Sequence, residues 1–441
     1  MPHLFSRSSR RFFGVSSFQI LAMFRRGMFY AYLSVYLRYF LNLSVTETTL
    51  FATLPMLANI IFQATLWGRL SDRYQLRRTL IFWGEILGGF GTLAVWFVHT
   101  LPENHRTMAY VIIFGLTIVE IFWSMSNIGW SALISDLYPP EKRGAVQGKL
   151  TSAGAIGRIA GVWIGGLLYD GLGRYYEGWG FEHGALFFVA AGVMFVSTIP
   201  LLALPEGGAT PAGETQPTSD PAAHSRSARW FGIFLIAMAL INFGRNSVVI
   251  IQAQYLFLDS GFAVTSRTLS TIVNTESIAM ILSGLAVGGI VLRIGNGPGV
   301  LLGTLMGVAY LLIFATASHL SLIYVGSFLK GCAESIIVAS SYAFASVLIP
   351  AAQRGRRFGL FNATFFLSWG LAGTLVAGPL VDVLLHLGYA AETAYRWSYI
   401  AAVLITLAGF ALLAVLVFLM MPRNTHSAKH ETLFGHHRPR H

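Results

Sequence analysis

The sequence contains a single cysteine, Cys332, in 441 residues. One thiol excludes an internal disulfide framework and any metal site built from several cysteines. The chain also lacks a Gly-x-x-x-x-Gly-Lys nucleotide loop, a paired metal-ligand motif and a Gly-x-Ser-x-Gly nucleophile elbow. These absences argue against an ATP-driven pump and a membrane hydrolase, so we expect no enzyme activity, no cofactor and no bound metal.

Charged residues are scarce as well. They make up 11% of the chain, against about 25% in an ordinary soluble domain. Hydrophobic residues make up 55% of the chain, and the mean hydropathy is +0.62. Because so few charges cannot cover a soluble globule of this size, the composition predicts an integral membrane protein with lipid as its solvent.

Apolar stretches of about 20 residues, long enough to cross roughly 30 Å of hydrocarbon, occur throughout the chain. In the first half they cover residues 16–40, 48–68, 79–99, 107–134, 144–169 and 183–204. In the second half they cover residues 230–257, 268–292, 298–318, 320–349, 357–385 and 395–421. The sequence therefore predicts an all-α membrane protein with 12 transmembrane helices.

These helices form two predicted domains with different flanking segments. Residues 1–204 form the N-terminal six-helix bundle and residues 230–421 the C-terminal one. Residues 205–229 are rich in Pro, Gly, Ser and Thr, which indicates a flexible cytoplasmic linker. Residues 422–441 are His-rich, and we interpret them as a solvated cytoplasmic tail.

The two halves repeat each other. Four Pro, Arg and Gly residues between Pro139 and Gly148 recur at a constant offset of 211 between Pro350 and Gly359. Near the start of each half the offset is 219, which matches Arg26 with Arg245 and Tyr36 with Tyr255. A parallel six-plus-six repeat predicts a substrate site near the membrane midplane, between the halves.

Basic residues lie mainly in the loops on the side of the two termini. By the positive-inside rule this side is cytoplasmic. The excess of 30 Lys+Arg over 19 Asp+Glu is thus a topology signal, and we expect no nucleic-acid partner. Short loops and the lack of eukaryotic sorting signals favour a bacterial inner membrane, where we expect a monomer.

The loop after the second predicted helix, Gly68-Arg-Leu-Ser-Asp72-Arg73-Tyr-Gln-Leu-Arg77-Arg78, resembles the signature loop of the major facilitator superfamily. With the linker and the repeated loops around Arg143 and Arg354, the resemblance covers nearly the whole chain. It implies the superfamily fold, with two pseudo-symmetric bundles that move a small solute by alternating access.

The resemblance also implies a conformational lock. Gly68, Asp72, Arg73, Arg77 and Arg78, together with Arg143 and Arg354, would hold the cytoplasmic ends of the two halves together in the outward-facing state. Asp72 would face the start of the eleventh helix, whose N-terminal dipole favours an anion. The second half has no matching Asp, so the predicted lock is one-sided.

A second resemblance concerns the glycine-rich stretch from Gly157 to Gly166, which is similar to a motif of proton-coupled drug antiporters. Val162 stands where those proteins have Pro, and small residues four apart also simply let helices pack closely. A proton-driven exporter of drugs or lipids is therefore the alternative function, and a non-transporting membrane scaffold is a second alternative.

Two arginines are the candidate substrate anchors. Arg26 and Arg245 lie at comparable depths in the first and seventh predicted helices, and their arrangement resembles that of organic-phosphate transporters. Guanidinium groups bind phosphate and carboxylate through paired hydrogen bonds. We expect an anionic or zwitterionic solute; the alternative is that each Arg is neutralised by an acid and only braces the bundle.

Acidic residues inside the predicted helices need a partner or a function. Arg158 and Glu120 form a candidate ion pair, and Lys330 and Glu334 lie one turn apart on one helix. Glu120, Glu276 and Glu334 are the candidate proton-coupling residues, since a desolvated carboxyl can exchange a proton. Further substrate-binding candidates, chosen for aromatic packing or hydrogen bonding, are Tyr36, Tyr255, Asn242, Gln252 and Asn127.

Overall fold

A computed structural model describes residues 7–138, 140–207, 221–349 and 354–420. Within these ranges the regular structure is entirely helical. Ten helices are long and apolar enough to span a membrane. Two more segments fall short of that criterion, the Arg-containing first helix and the 17-residue Ala185–Leu201 helix.

The first half has six long helices. They are α1 (Arg7–Val35), α2 (Val45–Phe62), α3 (Arg77–His99), α4 (His105–Leu137), α5 (Pro140–Tyr169) and α6 (Ala185–Leu201). A π turn, Tyr36–Phe40, ends α1, and α2 continues through a π turn, Gln63–Trp67, into Gly68–Tyr74. A one-turn helix, Trp179–Glu182, precedes α6.

The second half repeats this arrangement. Its helices are α7 (Pro221–Ser247), α8 (Ser266–Ile294), α9 (Asn296–Thr316), α10 (Leu320–Leu348), α11 (Arg354–Ala372) and α12 (Ala391–Met420). A short helix, Ile251–Phe257, follows α7, and α11 continues through a π turn, Gly373–Ala377, into Gly378–His386. The twelve predicted spans agree within a few residues, except that α1 begins nine residues before its predicted start and α7 begins inside the predicted linker.

Helix packing follows the repeat found in the sequence. In the first half α1 packs on α5 and α6, α3 on α4 and α6, and α2 on α4. In the second half α7 packs on α11 and α12, α9 on α10 and α12, and α8 on α10. The halves meet through α5 against α8 and α2 against α11, so the interface itself obeys the two-fold relation.

The glycines of α5 let this helix approach the backbone of α1. A Cβ atom on Gly157 would lie 2.1 Å from the Ile20 carbonyl oxygen, and one on Gly161 would lie 2.0 Å from that of Phe24. No side chain fits at such distances. The glycine-rich stretch therefore has a packing role at the level of Arg25 and Arg26.

The described bonds between the two halves are concentrated toward one end of the bundle. We call the end that carries both termini the terminal end, and the end with the α1–α2 and α7–α8 loops the far end. Bonds between the halves run from Tyr39–Gln254 near the far end to the Arg158–Met280 contact at mid-depth. Among the described residues, the hydrogen bonds that join the two halves therefore lie between the far end and mid-depth.

Candidate functional site

Glu85 of α3 is the centre of a buried cluster at mid-membrane depth. Its carboxylate accepts hydrogen bonds from Arg25 Nη1 at 3.1 Å, Trp123 Nε1 at 2.9 Å and Ser126 Oγ at 2.8 Å. Glu85 is 2% exposed. A buried carboxylate with three donors, one of them cationic, is well compensated, so the pair Arg25–Glu85 is a closed ion pair that braces α1 against α3.

Arg26 lies next to this cluster and is not part of it. Its guanidinium carbon is 4.6 Å from the centre of the Trp123 ring, whose other close cation is Arg25 at 4.0 Å. The bond from Trp123 to Glu85 fixes the indole, so the ring offers Arg26 a cation–π contact. Within the described ranges no carboxylate lies within ion-pair distance of Arg26.

Glu120 of α4 is a second buried acid in the same half as Arg26. Its charge lies close enough to Arg26 to interact with it through space, and its carboxylate accepts a hydrogen bond from Asn59 Nδ2 of α2. Gln63 in turn donates to Asn59 Oδ1 at 2.6 Å. The N-terminal half therefore contains a cation and an acid that are neighbours without being bonded.

The predicted pair between Arg158 and Glu120 is not the one that the structure contains. Arg158 Nη2 lies 3.2 Å from Glu276 Oε1, which links α5 to α8 across the two halves. Glu276 also binds Lys330 Nζ of α10 at 3.0 Å. Because α5 faces α8 at the boundary between halves, Arg158 points away from α4.

Lys330 and Glu334 do not satisfy each other within α10 either. Lys330 binds Glu276 and donates to Gln252 Oε1 at 2.7 Å, so the predicted ligand-binding amide Gln252 is engaged by a cation. Glu334 Oε2 instead lies 2.6 Å from Arg245 Nη1. Partners on neighbouring helices displace the pair expected from spacing along one helix.

Arg245 is held on several sides. Besides Glu334, its Nη2 donates to Asn242 Oδ1 at 3.2 Å, and Asn242 donates to Thr364 Oγ1 of α11 at 3.2 Å. The side chain is 2% exposed. Arg245 is therefore a closed, buried cation, in contrast to its repeat partner Arg26.

Five basic side chains lie deep within the helices: Arg25, Arg26, Arg158, Arg245 and Lys330. Four of them have a carboxylate oxygen at 2.6–3.2 Å. In the part of the chain that the structure describes, Arg26 is the exception. It is also only partly buried, whereas Arg25 and Arg245 are 5% and 2% exposed.

The two predicted tyrosines lie in the cores of the two halves. Tyr36 is fully buried and stacks on Phe40 and Phe181. Tyr255 is fully buried, stacks on Tyr395 and donates to the Phe314 carbonyl at 3.2 Å. In this conformation both rings pack protein and are closed to a solute, whereas Asn127 of α4 is half-buried.

Two basic residues of the predicted lock, Arg77 and Arg78, bind acids of their own half. Arg77 lies 3.3 Å from Asp136 of α4, and Arg78 lies 3.2 Å from Glu206 beyond α6. Arg73 is exposed and contacts the Tyr74 ring at 5.4 Å, and Gly68 follows the π turn of α2. The side chains of Asp72, Arg143 and Arg354 lie outside the described residues, as does the His-rich tail.

A shallow groove of about 390 Å³ follows the contact between α5 and α8. It is lined by Ile156, Ile159, Ala160, Trp163 and Asn274. Its walls are apolar apart from Asn274, whose Oδ1 is buried and has no hydrogen-bond partner among the described residues. No cluster of three or more His, Cys, Asp or Glu that would suit a metal ion occurs among the described residues.

Sequence comparison identifies one family. The sequence model of the Major Facilitator Superfamily matches residues 15–251 and 234–437, which together span most of the chain. Comparison with curated protein sequences gives no significant match.

Solved structures match over nearly the full length. A bacterial homologue of the human lysosomal transporter Spinster, inward-facing and unoccupied, shares 15% identity with a TM-score of 0.68, covering 93% of this chain and 97% of that one. A variant of the nucleoside transporter NupG shares 16% identity with a TM-score of 0.71, covering 92% of this chain and 99% of that one. A variant of the peptide transporter POT in complex with sulfate shares 15% identity with a TM-score of 0.66, covering 93% of this chain and 94% of that one. At these identities the likeness shows the fold alone.

Proposed function

Because the chain belongs to the Major Facilitator Superfamily of secondary transporters, we propose that it carries a small anionic or zwitterionic organic solute across the membrane by alternating access. The solute would bind in the cleft between the halves, with Arg26 as the anchor for its anionic group. Trp123 and Asn127 would lie beside it on α4.

The observation that carries this proposal is the state of Arg26. A charged side chain at mid-membrane costs about 2.5–3.5 kcal/mol on insertion scales, so such groups have partners or functions. Each of the other four deep cations has a carboxylate partner. Arg26 is partly exposed and keeps its hydrogen-bond donors available, which suits a phosphate, sulfonate or carboxylate.

Arg245 is the second candidate anchor, but only in another state of the protein. Its guanidinium is bound to Glu334, so it binds a solute anion only after Glu334 releases it. Protonation of Glu334 would supply that release, and protonation of Glu120 would strengthen the positive field at Arg26. Glu120 and Glu334 therefore remain the proton-coupling candidates, while Glu276 is held by two cations.

The proposed location is a bacterial inner membrane with both termini in the cytoplasm. The loops of the terminal end are rich in Arg, which supports this orientation through the positive-inside rule. With that orientation, the bonds between the halves near the far end lie on the outer side of the membrane, which supports an inward-facing state. Among the matched structures, the peptide transporter is described with sulfate bound, which gives an oxyanion a precedent on this fold.

The test is a thermal-shift screen of the purified protein against organic phosphates, carboxylates, sugars, amphipathic cations and lysolipids. A ligand at a hundredfold excess over its Kd stabilises by about 2.7 kcal/mol. We expect an anion to stabilise the wild type and Arg245→Lys, but not Arg26→Ala. Arg26→Lys should respond weakly, because an ammonium cannot form the paired bonds of a guanidinium.

An equal response of wild type and Arg26→Ala to the same anion would remove Arg26 from the site. The matched control is Arg396→Ala at the far end, whose partners are Glu392 and the Ala317 carbonyl. This control removes an arginine of similar exposure from a place remote from the cleft, so it should leave the ligand response intact.

A drug or lipid exporter is the second candidate, and the groove between α5 and α8 favours it. Its apolar lining and its position on the side of the bundle suit an acyl chain or an aromatic ligand. If only amphipathic cations or lysolipids stabilise the protein, and Arg26→Ala responds equally, this function replaces the anion carrier.

A further inference from the structure

Asp382 reaches from one half of the protein to the start of a helix in the other. It lies in the Gly378–His386 continuation of α11, at the far end. Its Oδ1 accepts from the Val45 backbone N–H at 2.9 Å, and its Oδ2 accepts from that of Thr46 at 2.8 Å. The first N–H groups of a helix have no partner inside the helix, and the helix dipole there favours a negative charge.

The remaining cap of α2 comes from its own half. Ser44 Oγ accepts from the Glu47 N–H at 3.2 Å, and Glu47 Oε2 accepts from the Ser44 N–H at 2.9 Å, which is a capping box. Glu47 also binds Arg106 and Tyr110 of α4, in the same half. Among the bonds of the described residues that cap α2, those to Asp382 are therefore the ones that cross to the other half and must break when the halves separate at the far end.

The backbone around Asp382 is fitted to this contact. A Cβ atom on Gly378 would lie 2.8 Å from the Thr46 Cα, so α11 approaches the start of α2 closely. One turn deeper, Thr374 of the π turn bonds Thr49 Oγ1 at 2.6 Å. The carboxylate is thus presented by a close contact between helices of the two halves.

We propose that Asp382 is a gating residue, which holds the far end closed by capping α2 from the opposite half. The proposal does not depend on the solute. It also gives the far end a counterpart of the lock implied for the terminal end, where Asp72 follows α2 and is expected to face the start of α11. Rocking of the halves would then exchange one aspartate cap for the other.

Distance measurements between the halves test this gate. Spin labels at Glu103→Cys and Ser318→Cys, both exposed at the far end and in opposite halves, report closure in a Cys332→Ala background in lipid nanodiscs. We expect Asp382→Ala to raise the ratio of far-open to far-closed protein about tenfold, equivalent to about 1.4 kcal/mol. Asp382→Asn, which keeps one acceptor oxygen and loses the charge, should give a smaller shift in the same direction.

The matched control is Ser44→Ala, which removes a cap bond of α2 that is present whether the far end is open or closed. It should lower the thermal midpoint and leave the distance distribution unchanged. Unchanged distances in both Asp382 variants would overturn the proposal. An equal opening in Ser44→Ala would overturn it too, because fraying of α2 would then explain the shift. If Asp382→Ala does not yield monodisperse protein, the isosteric Asp382→Asn decides.

Discussion

The two halves carry the same residue types on equivalent helices and pair them differently. In the second half, Arg245 of α7 binds Glu334 of α10 at 2.6 Å. In the first half, Arg26 of α1 and Glu120 of α4 are neighbours, but Glu120 bonds Asn59. The buried acid on α3, Glu85, forms an ion pair with Arg25. The two halves thus share residue types at equivalent positions, while the surrounding side chains determine which partner each charge binds.

The difference matters for transport because a bonded ion pair and a cation without a bonded acid have different roles. An ion pair with a buried member such as Arg245 braces helices, and removal of the partner of that buried charge destabilises the protein. An open cation keeps its field and its donors for a ligand. The comparison therefore assigns bracing to the pair in the second half and ligand binding to Arg26 in the first.

We expect the largest loss of stability from breaking the Arg25–Glu85 ion pair of the first half. Glu85→Ala leaves Arg25 buried without its carboxylate and frees two other donors, so we expect a loss of about 3–5 kcal/mol in stability. Glu85→Gln should lose less, since it keeps an acceptor. Thermal unfolding in detergent measures both. A midpoint within error of the wild type would show that the cluster around Glu85 carries little energy.

Double-mutant cycles should separate the two repeat-related pairs. For Arg245→Ala and Glu334→Ala we expect a coupling energy of about 2 kcal/mol, because the two side chains are in direct contact. For Arg26→Ala and Glu120→Ala we expect about 0.5 kcal/mol or less, since they interact through space. Unfolding of the four variants of each cycle gives both values. Equal couplings would remove the distinction between open and closed pairs.

Asn59→Ala should make the first half resemble the second. Without the amide of Asn59, the carboxylate of Glu120 loses its donor and turns to Arg26. We expect about tenfold weaker binding of an anionic ligand, a change of about 1.4 kcal/mol. Titration by thermal shift measures the effect. Unchanged affinity would mean that Glu120 does not compete for Arg26.

The smallest effect should follow from removing one of two cations that share an acid. Glu276 binds both Lys330 and Arg158, so Lys330→Gln leaves the carboxylate paired. We expect a loss below about 1 kcal/mol, less than for Glu334→Ala, which leaves Arg245 alone. The comparison uses thermal midpoints of the two variants. A larger loss for Lys330→Gln would identify Lys330 as the main partner of Glu276.

Much of the architecture was predictable because it depends on local composition. The length of apolar stretches predicted twelve helices, and the repeated loop motifs predicted two similar halves. The α7 helix, by contrast, begins at Pro221 inside a segment whose composition indicates a linker. Pro is favourable in a first helical turn, but that signal is weak beside the many Gly, Ser and Pro residues of the segment.

The partners of the deep charges were less predictable. Arg158 and Glu120 were expected to pair because they lie at similar depths, and Lys330 and Glu334 because they lie one turn apart. In each case the rotation of the helix about its own axis turns the side chain to another neighbour, Glu276 or Arg245. The role of Asp382 was missed for the same reason, since a backbone N–H of a distant helix leaves no mark on the sequence.

By itself, the sequence determined that this protein is a multi-pass helical membrane protein with two repeated halves and several charges that need partners. Hydrocarbon solvates neither charges nor backbone polar groups, so composition and span length are nearly sufficient for that conclusion. Only the tertiary structure decided which arginine remains open, which acids are paired and which end of the cleft is closed. Those outcomes depend on differences of a few ångströms between helices far apart in the chain, and no local pattern encodes them.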